Sequence, residues 1–115
     1  MSKVKKKLGL DRIKLMFSRS ASISTDVLEY FMSLDLPIQQ VYGMSESTGL
    51  ISMEFYDTMT VGSVGHAVNG VRVTLTSIKS EQEGVGEICI DGRNVFIGYL
   101  NEADKTKEAF DEGKV

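Results

Sequence analysis

Cysteine, proline and tryptophan are scarce in this chain of 115 residues, which has one cysteine, one proline and no tryptophan. The single cysteine, Cys89, excludes an internal disulfide framework and fits a reducing compartment such as the cytoplasm. No apolar run approaches the roughly 20 residues of a membrane-crossing helix, and no apolar segment of the signal-peptide kind follows the basic N-terminus. The sequence therefore predicts a cytoplasmic chain that forms part of one domain, residues 1–115, without an internal boundary.

Charge is unevenly distributed along the chain. Residues 1–19 carry seven basic side chains and one acidic one, whereas the whole chain has a net charge of −3. The lysine-rich stretch at residues 3–7 is either a patch for anionic lipid or nucleic acid or the last turn of a helix that stops at Gly9. We favour the helix end, because no aromatic residues interleave with the lysines. The acidic balance of the remaining chain also argues against nucleic acid as a partner.

The first half of the chain predicts a strand, a helix and a second strand. Apolar residues 13–17 predict a short buried strand, and residues 38–41 predict another. Between them a helix is expected over residues 25–35, with Ser24 or Thr25 as its N-cap. The helix would present one apolar face, made of Val27, Leu28, Phe31 and Leu34. This order is the unit of a parallel sheet.

The second half predicts mostly antiparallel β-structure. Residues 71–76 and 87–91 both alternate apolar and polar side chains, so they should pair across a polar loop at residues 79–84. A short strand or turn follows at 94–99, and a final helix is expected over 101–110. The predicted fold class is therefore α/β (α+β within this segment): a strand–helix–strand unit followed by an antiparallel hairpin, as part of a larger domain.

A dense cluster of chemically useful side chains lies directly after the second predicted strand, at residues 42–49. In open α/β sheets, ligands bind at the carboxyl ends of strands. Tyr42 can stack on a base, and Gly43 allows close approach of a backbone. Ser45 offers a hydroxyl to phosphate oxygens, and Glu46 is a hard oxygen ligand suited to Mg²⁺. By chemistry alone the run is equally typical of a polar strand-to-loop turn.

Residues 42–46 (YGMSE) resemble the Y-G-x-[ST]-E motif of the adenylate-forming superfamily, the acyl-CoA synthetases and their relatives. Two further stretches follow in the family's order: residues 62–73, similar to G-S-V-G…P-G, and residues 86–101, similar to G-E-[IL]-x-[IV]-x-G…G-Y. Three motifs in the correct order are far more specific than one. The amino-acid sequence, especially at residues 93–105, is most similar to that of the bubblegum-type long-chain acyl-CoA synthetases.

This resemblance implies a segment of a long-chain fatty acid–CoA ligase that uses ATP and Mg²⁺ to form an acyl-AMP and then transfers the acyl group to CoA. Tyr42 matches the tyrosine that packs against adenine, and Gly43 the glycine near the acyl carbonyl. Ser45 stands where the family contacts the α-phosphate. Glu46 matches the Mg²⁺-coordinating glutamate, the one catalytic residue implied in this segment. Residues 86–101 are implied to be structural.

The chain departs from the family's pattern at the turn that lines the adenine pocket. Residues 19–22 correspond to the family's G-A-A-P-like turn, which implies that Ser20 and Ala21 contact the nucleotide. Arg19 replaces the glycine and Ser22 the proline. An arginine would fill space meant for the base or shift the turn, since glycine tolerates a positive φ and arginine does not readily do so.

Several family parts have no counterpart in residues 1–115: the phosphate loop, the T-G-D motif and the adenylation lysine. We therefore expect an internal slice, a truncated isoform or a relaxed copy that is inactive by itself. The alternative is a non-catalytic binding or regulatory fragment that acts on a protein partner through an exposed apolar face of the predicted helix. The expected location is the cytoplasm, with peripheral association at the endoplasmic reticulum or another membrane as the alternative.

Overall fold

The structure is a computed structural model that describes residues 2–80, 84–110 and 115. Its contacts divide the chain into two compact units, Met1–Tyr42 with Ser52–His66 and Gly43–Ile51 with Ala67–Val115. Along the sequence the units alternate at positions 42/43, 51/52 and 66/67, and the last of these boundaries falls within a short strand, β4 (His66–Ala67). In the part of the chain that is described, no helix combines the length and apolar character that crossing a membrane requires.

The first unit is built around the predicted strand–helix–strand. Its elements are helices α1 (Ser2–Lys7) and α2 (Thr25–Ser33), strands β1 (Phe17–Ser18), β2 (Gln39–Tyr42) and β3 (Ser52–Met53), and a 3₁₀ turn (Tyr56–Thr58). Strand β1 pairs parallel with β2, and β2 pairs antiparallel with β3. A parallel pair needs a crossover connection, and α2 lies in it. The α/β fold class is thereby confirmed.

The prediction of a buried strand at residues 13–17 is wrong in both extent and burial. Strand β1 contains only the last residue of that run, and Leu15 is 61% exposed. The backbone reaches the sheet at Met16, whose carbonyl accepts a hydrogen bond from the Gln39 amide at 2.9 Å. A run of five residues, four of them apolar, is too short for its periodicity to distinguish a core strand from a surface segment.

Helix α2 begins where the sequence predicts it and ends two residues early. Ser24 occupies the N-cap position, but its side chain makes no capping hydrogen bond. Asp35, which was expected inside the helix, has a left-handed backbone with φ of 58°. Of the predicted apolar face, Leu28 is buried, Phe31 and Leu34 are half-buried and Val27 is 39% exposed, so the face is partly exposed.

The N-terminal lysines lie at a helix end. Lys5, Lys6 and Lys7 form the last turn of α1, and Gly9 has the left-handed φ of 72° expected of a helix stop. Lys5 donates to the Asp35 carboxylate at 2.5 Å and to the Asp35 carbonyl at 2.6 Å. The lysine-rich stretch therefore joins α1 to the segment after α2.

The second unit contains the predicted hairpin. Its elements are a 3₁₀ turn (Ser45–Ser47), strands β5 (Val71–Ser80) and β6 (Val85–Gly92), and helix α3 (Ala103–Ala109). β5 and β6 pair antiparallel, with Val73 opposite Ile90 and Leu75 opposite Ile88, so these apolar residues share one face. Ile90 is fully buried. Part of the predicted polar loop belongs to β5 instead, and residues 81–83 lie outside the described residues.

The C-terminal helix is shorter than predicted. Helix α3 begins at Ala103 with Glu102 at the N-cap position and no side-chain capping bond. The predicted start, Asn101, has a left-handed backbone with φ of 57° and so lies outside the helix. Residues 94–99 contain no strand and form a turn followed by irregular backbone.

Candidate functional site

The segment after β2 is a closely packed turn whose conformation depends on Gly43. A Cβ at Gly43 would collide with the carbonyl of Gly49, so only glycine fits here. The Ser47 hydroxyl donates to the Met44 carbonyl at 3.0 Å and accepts from the Met44 amide at 3.3 Å. The amide of Gly49 donates to the same Met44 carbonyl at 2.9 Å. These bonds close residues 43–49 into a compact loop that carries Ser45 and Glu46.

Asn94, which follows β6, stabilises this turn through hydrogen bonds to its residues. Its side-chain amide donates to the carbonyls of Ser47 at 2.9 Å and Leu50 at 3.2 Å. The Thr48 hydroxyl donates to the Asn94 carbonyl at 2.6 Å. Thr48 itself has a left-handed backbone with φ of 57°, which the surrounding hydrogen bonds hold in place.

Glu46 is held at both its main chain and its side chain. Its carbonyl accepts from the Phe96 amide at 2.7 Å, and its carboxylate Oε1 accepts from the Tyr99 hydroxyl at 2.5 Å. The hydrogen bond from Tyr99 lowers the pKa of Glu46, helped by a backbone hydrogen bond, and the same contact raises the pKa of the Tyr99 phenol. The arrangement favours an ionised carboxylate, the form that binds a cation.

Tyr99 is in turn supported by helix α3. Its amide donates to the Thr106 hydroxyl at 2.9 Å, and that hydroxyl donates to the Glu102 carbonyl at 2.8 Å. Its ring meets that of Phe96 edge-on at 4.8 Å between centroids, and Phe96 stacks on Phe110 at 5.5 Å. The contact with Glu46 is therefore one end of a connected set of interactions within the second unit.

The structure brings Gly43, Ser45 and Glu46 together in this turn. Ser45 is exposed and Glu46 is half-buried. The other predicted site residues, Ser20, Ala21 and Tyr42, belong to the first unit.

Within the first unit, Tyr42 is the last residue of β2, and Ser20 and Ala21 follow β1. These strands are parallel, with Ser18 opposite Gln40, so the three residues lie beyond the same carboxyl edge of the sheet. That edge is where open α/β sheets bind ligands.

The left-handed backbone at the residue 19–22 turn falls on Ser20, with φ of 75°, and not on Arg19. Arginine at the family's glycine position is therefore accommodated without a positive φ of its own. Ser20 and Ala21 are both exposed.

Glu46 is suited to a cation that takes most of its ligands from elsewhere. Among residues 2–80, 84–110 and 115, no three His, Cys, Asp or Glu side chains gather in a way that would hold a metal. Mg²⁺ commonly uses one or two protein carboxylates and completes its octahedron with water and phosphate oxygens. A single, oriented, ionised carboxylate beside a serine hydroxyl fits that pattern.

A family model described as AMP-binding enzyme matches residues 1–100. The chain belongs to this family of AMP-binding enzymes. It is 43% identical over 110 residues to the long-chain-fatty-acid–CoA ligase ACSBG2 of Gallus gallus, a match that covers 96% of this chain and 14% of that protein. The resemblance to bubblegum-type synthetases is thus confirmed. The chain spans about one seventh of the length of this curated relative.

Two solved structures share the fold. Apo MatB from Rhodopseudomonas palustris superposes with a TM-score of 0.79 at 30% identity, over 94% of this chain and 23% of that one. A malonyl-CoA ligase solved as a ternary product complex with methylmalonyl-CoA and AMP gives a TM-score of 0.75 at 33% identity, over 85% of this chain and 22% of that one.

Sequence reasoning missed Asn94 and Tyr99. Both lie in the stretch at residues 86–101, to which no catalytic role was assigned. Their contacts with the 43–50 turn span 47 and 53 residues of sequence. No residue pattern close to Asn94 or Tyr99 predicts such a contact. The sequence indicates only that residues 42–46 and 86–101 both resemble motifs of the same family.

Proposed function

We propose that this chain forms part of the AMP-binding domain of a long-chain fatty acid–CoA ligase and supplies its adenine-facing edge and its magnesium-binding carboxylate. The observation that carries the proposal is the Glu46 carboxylate, which the turn and Tyr99 hold in one orientation. The 43% identity to a protein named as such a ligase supports the choice of substrate class. Long-chain fatty acid, ATP and CoA are the proposed substrates.

The proposed reaction has two steps. The fatty acid carboxylate attacks the α-phosphorus of ATP, so that a new P–O bond forms and the bond to pyrophosphate breaks. The CoA thiolate then attacks the acyl carbonyl, forming a thioester and releasing AMP. Mg²⁺ supplies positive charge to the phosphate oxygens.

Each proposed site residue has a role consistent with its position. Glu46 would hold the cation, and the exposed Ser45 hydroxyl would donate to an α-phosphate oxygen, where negative charge develops. Tyr42, at the end of β2, would stack on adenine, with Ser20 and Ala21 lining the same edge of the sheet. Gly43 keeps side-chain atoms away from the reacting carbonyl.

A chimera tests the proposal directly. The matching 110 residues of the Gallus gallus ligase would be replaced by those of this chain, and ATP–pyrophosphate exchange would be measured with a long-chain fatty acid. We expect fatty-acid-dependent exchange, and a loss of roughly 100-fold or more for Glu46→Gln, the scale of removing a transition-state electrostatic contact. Glu29→Gln, on the exposed side of α2, is the matched control and should be unchanged.

Two results would contradict the proposal. One is a folded chimera without exchange activity, and the other is a Glu46→Gln chimera as active as its parent. We also expect the 115-residue chain alone to give no exchange, because it contains no counterpart of the phosphate loop or the adenylation lysine; exchange by this chain would refute that expectation.

A second candidate function is a non-catalytic fragment that binds a protein partner, such as a full-length ligase. The observation that favours it lies on the hairpin, where Val73, Leu75 and Ile88 are 39%, 40% and 43% exposed on one apolar face. Contiguous apolar surface of this kind marks interaction sites. Sedimentation of the chain as a clean monomer, with one cooperative unfolding transition, would argue against this function.

We propose the cytoplasm as the location, because a single free thiol suits a reducing compartment. Peripheral association with the endoplasmic reticulum or another membrane is the alternative. Fractionation of cells into cytosol and membranes, with and without a high-salt wash, distinguishes the two.

A further inference from the structure

Two segments that are 53 residues apart in sequence meet at the carboxylate of Glu46. The geometry points to Tyr99 as a positioning residue, whose hydroxyl holds the Glu46 carboxylate in the orientation that binds a divalent cation. The inference rests on the proposed function, because that function makes Glu46 a cation ligand. It goes beyond that function because it assigns a role to Tyr99, which lies in residues 86–101, a stretch that the family resemblance implies to be structural.

The main chain of Glu46 is fixed independently of its side chain. The Phe96 amide donates to the Glu46 carbonyl at 2.7 Å, which places the Cα. A glutamate still has three rotatable bonds beyond that point, and on a half-exposed turn they sample many rotamers. The Tyr99 hydroxyl at 2.5 Å from Oε1 removes that freedom at the far end of the side chain.

Tyr99 is a good anchor because it is itself held from several sides. Its amide bonds to Thr106 on α3, and its ring packs edge-on against Phe96. Gly98, the preceding residue, has φ of 144° and approaches Thr106 so closely that a Cβ would lie 2.7 Å from the threonine Cγ2. The phenol hydroxyl is therefore presented from a fixed backbone.

Two effects of this hydrogen bond on cation binding oppose each other. The bond occupies one acceptor position of the carboxylate and withdraws some of its electron density, which weakens it as a ligand. It also orients the side chain in advance, so less ordering is needed when the cation arrives. A carboxylate has about four lone-pair positions, so one bond leaves the others for the cation. We expect orientation to dominate, as it does for hydrogen bonds around other metal ligands.

The test uses the 115-residue chain with Mn²⁺ as the probe, because Mn²⁺ broadens the NMR signals of nearby nuclei. Amide signals of residues 45–47 would be followed in ¹H–¹⁵N spectra as Mn²⁺ is added, with and without ATP. Tyr99→Phe removes only the hydroxyl and keeps the ring against Phe96. Tyr30→Phe, on the exposed surface of α2, removes a hydroxyl from the other unit and is the control.

In the wild-type chain we expect selective broadening at residues 45–47 that Glu46→Gln abolishes. In Tyr99→Phe the Mn²⁺ concentration for half-effect should rise by about tenfold, the lower end of what loss of an outer-shell hydrogen bond costs a metal site. Thr106→Val, which loosens Tyr99 without touching its hydroxyl, should give a smaller rise and remains informative if Tyr99→Phe does not fold. Tyr30→Phe should match the wild type.

The possible failures are distinguishable. Unchanged or tighter Mn²⁺ binding in a folded Tyr99→Phe overturns the positioning role while the metal role of Glu46 stands. Broadening that is absent from the wild type, or that persists in Glu46→Gln, overturns the metal role and the inference with it. Unchanged free energy of unfolding in Tyr99→Phe, together with weaker Mn²⁺ binding, separates positioning from a purely structural role.

Discussion

Two turns, one in each compact unit, carry proposed functional residues and are constructed differently. The turn at residues 43–50 depends on a glycine that no other residue can replace and on hydrogen bonds from Asn94. The turn at residues 19–22 lies on an exposed surface, and its left-handed backbone position is occupied by a serine. Both turns contain a non-glycine residue with a positive φ, and in the first turn that residue, Thr48, is held by the hydrogen bond from its hydroxyl to the Asn94 carbonyl.

This difference shows that two motifs of one family can differ in how firmly the fold holds them. Residues 42–46 match the family pattern closely, and the turn they begin is strongly braced. Residues 19–22 depart from the family pattern, and both Ser20, which has a positive φ, and Ala21 are exposed. Gly43→Ala and Ser20→Gly should act in opposite directions on the free energy of unfolding, and the following predictions test that contrast.

The largest effect is expected from Gly43→Ala. The added methyl would overlap the Gly49 carbonyl, and backbone can move aside only by opening the turn. We expect a loss in the free energy of unfolding at or above the upper end of the roughly 1–3 kcal/mol that overpacking costs, measured by urea denaturation. Ser45→Ala, an exposed neighbour, should stay within about 0.5 kcal/mol of the wild type. Equal stability of the two variants would show that the turn is not braced at Gly43.

The second-largest loss of stability is expected when the hydrogen bonds from Asn94 to the turn at residues 43–50 are removed. Asn94→Ala removes the donor to the Ser47 and Leu50 carbonyls, and leaving the part-buried Ser47 carbonyl unpaired costs about 1–3 kcal/mol. Urea denaturation would measure the loss, and hydrogen exchange at the Gly49 amide should accelerate with it. Asn69→Ala, at an exposed asparagine, is the control. Unaltered exchange at Gly49 in Asn94→Ala would contradict the proposed role of this brace.

A stabilising change is expected in the other turn. Ser20→Gly relieves a left-handed conformation that costs a non-glycine residue about 1–2 kcal/mol, and the added freedom of the unfolded chain offsets part of that gain. We expect a net increase of about 0.5 kcal/mol in the free energy of unfolding. Ala21→Gly, where φ is not positive, should lower the same quantity. A loss in both variants would show that Ser20 is not strained.

The smallest effect concerns the exposed ion pair of the first unit. The hydrogen bond and charge of Lys5 lower the pKa of Asp35 below its ordinary value. A carboxyl with a lowered folded-state pKa contributes stability above its unfolded pKa of about 3.9, and this contribution disappears as the pH falls through the folded value.

Lys5→Met should therefore lower the thermal midpoint slightly at pH 7 and by less well below pH 3.9, where only the hydrogen bond to the Asp35 carbonyl remains to be lost. Lys6→Met on the same helix turn is the control. A difference between Lys5→Met and the wild type that is as large at pH 2 as at pH 7 would contradict the assignment to this pair.

Local patterns predicted those parts of the fold whose signal lies within a few residues. The period-2 alternation of residues 71–76 predicted β5 and its pairing with β6, because alternation reports directly which side chains share a face. The position of Ser24 before an apolar periodic run predicted the start of α2. The run at residues 13–17 failed because apolar character alone does not say which side chains the rest of the chain covers.

The candidate site was predictable only in part for the same reason. The motif at residues 42–46 predicted Glu46 as the acidic ligand, because the resemblance to a family motif singled out that residue. Tyr99 and Asn94 were not identified, because their roles depend on contacts across 53 and 47 residues. In a single sequence no pattern links positions so far apart.

These long separations also set an order of events during synthesis. A ribosome adds about 5–20 residues per second, so the 53 residues from Glu46 to Tyr99 take roughly 3–10 s to make. During that interval the carboxylate exists without the tyrosine that orients it, and the turn without the asparagine that braces it. The turn at residues 43–50 is therefore among the first parts of the proposed site to be synthesised and among the last to reach its final geometry.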